Sequence, residues 1–424
     1  MKSFRIVLCL LTLNGMVFGA GFALYEHSAQ ATGMAGAFAA TASDPGALFY
    51  NPAGIGFQKS SVYLETTLII PSSKFYGAGA YPGEGIREKM AGQRFWPSNV
   101  SLVQSLGSKW TLGFGIFNPF GLGTKWEHPT TYSGRFLSTQ AEIQSYNVAS
   151  ALAYRPVENL SVSLGVHYLA ADLSIEQYKG MINPYTQTEA NIAHVRMEAD
   201  LNGAFGYDFG LLYKFGVSSA GLTYHSHTKI DFDGTAKISQ VMTGYPDFDA
   251  MVARDLPVGD HDVTTGIDFP AMAILAIATQ ATPELRFEFD LGWTGWSSYD
   301  KLDVTFKDIP ALSTTRKTAW HDSYTYRFGM EYRYKPESAI RAGILYDETP
   351  QPQQEMSPML ADADRVGFCV GYGTSFKKIT LDAAYMYLPF KDRSTQGTPH
   401  QQDGYDGEYR TNAHLLSVSM TYHF

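Results

Sequence analysis

The chain is expected to be all-β: a transmembrane antiparallel β-barrel of about fourteen strands, its lumen plugged by the N-terminal segment. Three observations carry this. First, the C-terminal stretch alternates: His414, Leu416, Val418, Met420, Tyr422 and Phe424 are bulky and mostly apolar, while Leu415, Ser417, Ser419, Thr421 and His423 are mostly small or polar. A period of two sends the two sets to opposite faces of one strand, and Phe424 falls where an aromatic girdle meets the membrane interface. Second, the pattern recurs upstream. Tyr324, Tyr326, Phe328, Met330, Tyr332 and Tyr334 oppose Thr325, Arg327, Gly329, Glu331 and Arg333, and Leu285 to Trp293 alternate in the same way. An arginine facing lipid would cost roughly 2–4 kcal/mol near the midplane, so the aromatic face points outward and the charged face into a polar lumen. Third, the connections between strands alternate strictly between long and short.

Taken in order, residues 1–19 read as a secretory signal, with Lys2 and Arg5 basic, Ile6 to Val17 apolar, and Val17 and Gly19 at the small-residue cleavage positions. The mature chain then starts at Ala20. Cys9 leaves with the signal, and Cys369 alone forms no internal disulfide. No later apolar run reaches the ~20 residues of a spanning helix. A mean hydropathy of −0.16 also excludes a helical membrane protein, whereas a barrel hides its hydrophobicity in alternation. Charged residues at 17% are sparse for a soluble surface, and a net charge of −9 without a basic stripe argues against a nucleic-acid partner.

Residues 20–59 precede the first strand and are rich in glycine and alanine, yet Phe22, Leu24, Phe38, Leu48, Phe49, Tyr50 and Phe57 make them too apolar for a free tail. They suit a plug. Residues 60–424 form the barrel, with strands near 60–70, 97–107, 110–118, 141–154, 160–172, 203–215, 219–233, 264–279, 283–296, 322–334, 338–348, 365–376, 379–390 and 411–424. Short turns such as Lys377 to Lys378 belong to the periplasmic side and long loops such as 71–96 to the outside. Since the first and last connections are long, both termini lie in the periplasm and the strand count is even.

The segment Gly21 to Glu26, followed by Asp44-Pro45-Gly46-Ala47-Leu48-Phe49-Tyr50-Asn51-Pro52-Ala53-Gly54, resembles the N-terminal hatch of the FadL/TodX family of outer-membrane channels for hydrophobic compounds. Asn51, Pro52 and Ala53 match its hatch motif. Tyr224-His225-Ser226 with Lys229 to Gly234, Trp293 to Ser297, and Trp320 to Gly329 are similar as well, in the family's order. The resemblance implies a 14-stranded barrel with a luminal hatch and passive uptake of long-chain fatty acids, or of monoaromatic or alkane hydrocarbons. It further implies an outer groove, an inner pocket lined by Phe22, and a sideways exit through a kink in the third strand. Here that strand breaks at Asn118, Pro119 and Gly121, where proline lacks a ladder donor and glycine bends the chain. A side exit spares an apolar ligand rehydration, worth roughly 0.8 kcal/mol per CH₂.

A fatty-acid carboxylate calls for a cation at the pocket. Arg316 and Lys317 stand near one basic position of the family; at the other this chain has Gln177, with Lys179 two residues on. His225 and His227, placed on one strand face, are read as luminal histidines in the absence of further ligands at metal-binding spacing, and Asp231, Asp233, Asp362 and Asp364 as loop charges. No cofactor and no catalytic residue is expected, and the chain is expected to act as a monomer among outer-membrane lipids. The rival classes are an outer-membrane enzyme of the lipase type, which needs a nucleophile beside a base, and a general porin, which needs an open lumen with a charged constriction.

Overall fold

The computed structural model describes residues 21–399 and 401–424, so the proposed signal and the start at Ala20 lie outside the described residues. Fourteen antiparallel strands form a closed ring: β1 (Ser61–Gly77), β2 (Ser98–Ser105), β3 (Trp110–Phe117), β4 (Gln140–Val157), β5 (Leu160–Ile182), β6 (Glu189–Phe215), β7 (Ser218–His225), β8 (Met272–Gln280), β9 (Leu285–Thr294), β10 (Ser323–Lys335), β11 (Ser338–Asp347), β12 (Arg365–Phe376), β13 (Ile379–Pro389) and β14 (Gly407–His423). Each pairs with the next. The ring closes where β14 meets β1, in register from Ser61↔His423 to Gly77↔Gly407. Closure leaves no open sheet edge in hydrocarbon, where each unpaired backbone group is costly.

The alternation sorts as the sequence requires. On β14, Leu416, Val418 and Met420 are exposed to the surroundings, while Ser417 and Thr421 face inward and are buried. On β10, Arg327 and Glu331 are buried inside the ring and Tyr324, Tyr326 and Phe328 lie outside. Glu331 is the centre of an inward ion network: it accepts from Arg286 (2.6 Å), Arg333 (3.0 Å) and Arg341 (2.8 Å), and Arg341 reaches on to Asp382 (2.6 Å), while Arg327 lies over the ring of Tyr25.

The outer half departs from the expected boundaries. Strands β5 and β6 run on to Ile182 and back from Glu189, through what the pattern assigns to a loop. Beyond β7 and β8 the chain continues as strands Thr228–Gln240 and Gly259–Phe269, capped by α1 (Pro246–Asp255), so the spans 219–233 and 264–279 are each two strands, parted near Ser226 and at Pro270. Above the lipid an outward side chain need not be apolar. The alternation that marks a lipid-facing strand therefore fades while the hydrogen-bonded ladder goes on.

Residues 21–59 are packed against the inner wall as short helical turns, most of them buried. Ser28 caps the turn Ala29–Thr32, accepting from Ala31 N (3.1 Å), and donates to Asp44 (2.6 Å). Their apolar side chains Phe38, Leu48, Phe49 and Ile55 join luminal residues of the barrel in one cluster.

Candidate functional site

The third strand loses its register at one place. Phe117 pairs with Asn147 of β4, but pairing resumes at Gly121↔Gln144, so three residues, Asn118, Pro119 and Phe120, face two. On its other side β3 stops pairing with β2 after Ile116↔Val100. Proline has no N–H for the ladder. Asn118 spans the breach instead: its Oδ1 accepts from Ser98 N on β2 (3.0 Å) and its Nδ2 donates to Ser145 O on β4 (2.6 Å). Asn118 and Pro119 therefore lie within the interruption of the ladder, and Gly121 is the residue at which pairing resumes.

The N-terminal segment seals the inside of this breach. Leu24 N donates to Pro119 O (2.8 Å) and Gly121 N to Phe22 O (2.9 Å), with Ala23 and Phe120 opposed as an isolated antiparallel bridge. Behind lies a cavity of about 700 Å³ lined by Phe22, Leu24, Phe95, Trp96, Leu122, Ile143, Leu360 and Phe390, among others. It meets the outer surface beside Trp96 and Tyr146. That volume suits one lipid-sized or drug-sized apolar ligand.

A second, smaller pocket of about 60 Å³ adjoins it, lined by Leu173, Ile175, Tyr299, Leu302, Arg316, Trp320 and Met359. Phe22 borders both cavities. Its ring is held edge-on by Trp296 (4.6 Å), Tyr299 (5.6 Å), Phe120 (6.1 Å) and Phe269 (6.2 Å), contacts that fix its orientation. Gly21 N beside it donates to Asp362 (2.9 Å), whose carboxyl is buried and therefore raised in pKa. Asp362 is thus an anchor for the N-terminal segment rather than a solvated loop charge. Glu26 also lines the larger cavity, and its burial raises its carboxyl pKa.

The cations divide. Arg316 reaches the smaller pocket, but its guanidinium is held by Asp403 through two bonds of 2.9 and 2.8 Å. Lys317, the next residue on the short strand Thr314–Lys317, faces the opposite side and is exposed. Lys179 is exposed near the end of β5; neither lysine lines either cavity. Sequence reasoning missed Arg94, which lines the larger cavity, is exposed, and has no ion-pair partner among the described residues. Nothing local marks it, since it sits in a long loop without a repeating pattern.

Asn51 of the Asn51-Pro52-Ala53 element is wholly buried. Its Nδ2 donates to Ala39 O (2.8 Å) and across to Leu211 O of β6 (3.0 Å), while its Oδ1 accepts from Ala53 N (3.1 Å) and caps the 3₁₀ turn that starts at Pro52. Glycines admit it: a methyl group on Gly210 would lie 2.7 Å from Asn51 Oδ1, and one on Gly221 3.0 Å from its Nδ2. Two luminal acids of β9 grip the same segment. Asp290 accepts from Phe38 N and Ala39 N (both 3.0 Å), and Glu288 from Ala40 N (2.6 Å) and Thr41 N (3.1 Å).

The histidine pair does not share a face. His225 is buried between Asp208 (2.7 Å) and Phe49 O (2.8 Å), whereas His227 is exposed on Asp268 (2.9 Å). The break after β7 reverses the alternation between them.

A family model described as outer membrane protein transport protein (OMPP1/FadL/TodX) matches residues 10–424. The long-chain fatty acid transport protein of Escherichia coli O6:H1 is 25% identical over 441 residues, which cover 97% of this chain and 96% of that protein. Among solved structures, a Pseudomonas aeruginosa FadL homologue superposes with a TM-score of 0.83 at 21% identity, over 96% of this chain and 100% of that one. The P. putida toluene transporter TodX gives 0.71 at 17% identity, over 96% and 99%. At these identities the solved structures speak for the fold.

Proposed function

This chain belongs to the OMPP1/FadL/TodX family of outer-membrane transport proteins, and on that premise we propose that it admits long-chain fatty acids and releases them sideways into the bilayer. The observation that carries this is the largely apolar cavity of about 700 Å³ set directly behind the break in β3. In this reading residues 20–59 are the hatch, secured by Asn51, Pro52 and Ala53. Asn118, Pro119 and Gly121 form the side exit, and Phe22 parts the outer cavity from the inner pocket. The protein is a monomeric channel surrounded by outer-membrane lipid and performs no chemistry on its cargo. Arg94 receives the carboxylate at the outer cavity and Arg316 at the inner pocket, whereas Lys179 and Lys317 line neither cavity.

A monoaromatic hydrocarbon is the second reading, and one observation favours it: the charge of Arg316 is already met by Asp403. Binding of labelled oleate and labelled toluene to the purified protein separates the two. Arg94→Ala with Arg316→Ala should weaken oleate roughly tenfold or more, since a charge-assisted contact is worth about 1.5–3 kcal/mol, and leave toluene unchanged. Binding of toluene alone would overturn the fatty-acid reading, and oleate affinity unaltered in the double variant would remove both arginines from the site.

A further inference from the structure

A second stretch of the wall is unpaired. Strand β6 pairs with β7 as far as Asp208↔His225, and with the outer strand Thr228–Gln240 only from Ala199↔Gly234 onward. Between these points residues 200–207 run beside residues 226–233, and among the described residues neither stretch is paired with the other. We propose that the wall bows open here into a second lateral passage, through which the apolar cargo moves between the lumen and the surrounding lipid. The passage rests on the transport reading above and adds a route to it.

The interruption is not an ordinary bulge. A bulge inserts a residue into one strand and shifts the register, whereas here the ladder resumes in the register it left. Side chains take the place of main-chain partners at both ends. Ser226 Oγ accepts from Tyr207 N (2.9 Å) beside the bond from Ser226 N to Tyr207 O (2.9 Å), and Asn202 Nδ2 donates to Asp231 O (2.7 Å). Asn202 thus ties this gap as Asn118 ties the one in β3. Between the two ties Gly203, Ala204, Phe205 and Gly206 are unpaired on this side. A methyl group on Gly206 would collide with the His167 ring and stand 2.7 Å from Ser226 Oγ, so glycine is required where the inner wall comes this close.

The surroundings suit an apolar chain. Outside, Leu201, Phe205 and Tyr207 are exposed on the β6 lip, while Lys229 and Asp231 are exposed on the other. Inside, Leu169, Ala171, Ile230 and Phe232 are buried in the same cluster as Phe22 and Phe120, and Ala204 packs against it. Unpaired backbone at membrane depth is tolerated where it is covered by protein or lines a cavity. A narrow cavity of about 20 Å³ touches both gaps, lined by Ser226 and Thr228 at this one and by Pro119 and Phe120 at the other. The ladder also links them, since the row Phe117↔Asn147, Asn147↔Leu169 and Leu169↔Ala204 runs from the last paired residue of β3 to the second gap.

The test reconstitutes the purified protein in phosphatidylcholine vesicles with a diazirine-bearing palmitic acid, irradiates, and maps adducts by peptide mass spectrometry with and without excess oleate. Adducts that oleate suppresses should fall on residues 200–207 and 226–233 as well as around Pro119. Those on the lipid-facing side of β10, made by probe dissolved in the bilayer, should not be suppressed. Ala204→Trp, which fills the mouth, should lose the suppressible adducts at the second gap, keep those around Pro119, and remain a heat-modifiable barrel. Should that variant fail to assemble, the wild-type map decides by itself. Suppressible adducts around Pro119 with none at the second gap would overturn the passage and leave the transport reading standing, as would an Ala204→Trp map identical to the wild type. Suppressible adducts nowhere would overturn the transport reading and the passage with it.

Discussion

Replacing Asn51 with alanine should free the hatch without unfolding the barrel. The side chain makes three hydrogen bonds at full burial, to Ala39 O, to Leu211 O and from Ala53 N. Each contributes about 1 kcal/mol net, and the partners left behind find no water to replace it. The loss of the cap on the 3₁₀ turn is already one of the three. The sum is about 3 kcal/mol, a change of roughly a hundredfold in the population of hatch-released states. None of the three bonds belongs to an interstrand ladder, so the barrel should keep its heat-modifiable migration. Hydrogen exchange followed by mass spectrometry reads the effect directly: amides of residues 39–59 should exchange far faster in Asn51→Ala, while peptides from β10 to β14 stay protected. Equal protection of residues 39–59 in the variant and wild type would refute the assignment of Asn51 as the tie between hatch and wall.

Asp403→Asn should release Arg316 for an incoming carboxylate and tighten oleate binding about tenfold, with toluene as the unaffected control; oleate binding that weakens instead would mean that Asp403 positions the guanidinium rather than competing for it. The packing of the hatch should also depend on pH through Asp44. Burial pushes its carboxyl up to about 7 from an ordinary 3.8, so the packed hatch holds the proton more tightly than the released one. Its packing is then firmest below about pH 4 and loosens as pH rises through 7, by up to about 4 kcal/mol for the full shift. A spin label at the exposed Ser43 should gain mobility between pH 5 and pH 8, and Asp44→Asn should flatten that response.

The strands that cross lipid were legible because the membrane imposes one rule on them: a face with Tyr324, Tyr326 and Phe328 outside and Arg327 inside has a single workable orientation. The same rule lapses above the bilayer, which is why the extension beyond β7 and β8 and the long outer halves of β5 and β6 went unread. Turns were legible through their chemistry, and Asn51-Pro52 marked a buried cap. The grip of Asp290 and Glu288 on the amides of the N-terminal segment was hidden, because an inward acid on a barrel strand looks the same whether it meets water, an arginine or a backbone N–H. His225 and His227 were misplaced for a related reason: a period-two argument holds only while the strand is unbroken. Arg94 reaches the cavity through loop folding alone, which no local pattern encodes.

The seam between β1 and β14 has a consequence for how the molecule is made. Its ladder spans seventeen residues on each strand, and it joins the first barrel strand to the last. These are the contacts of greatest separation along the chain, the ones whose loop-closure entropy is met latest in folding. A nascent barrel lacking only β14 would hold two raw edges, on β1 and β13, that hydrocarbon cannot solvate. Export must therefore deliver the C-terminus before any insertion intermediate can become permanent, and a chain truncated by that one strand should be cleared as an unassembled precursor rather than persist as a leaky pore.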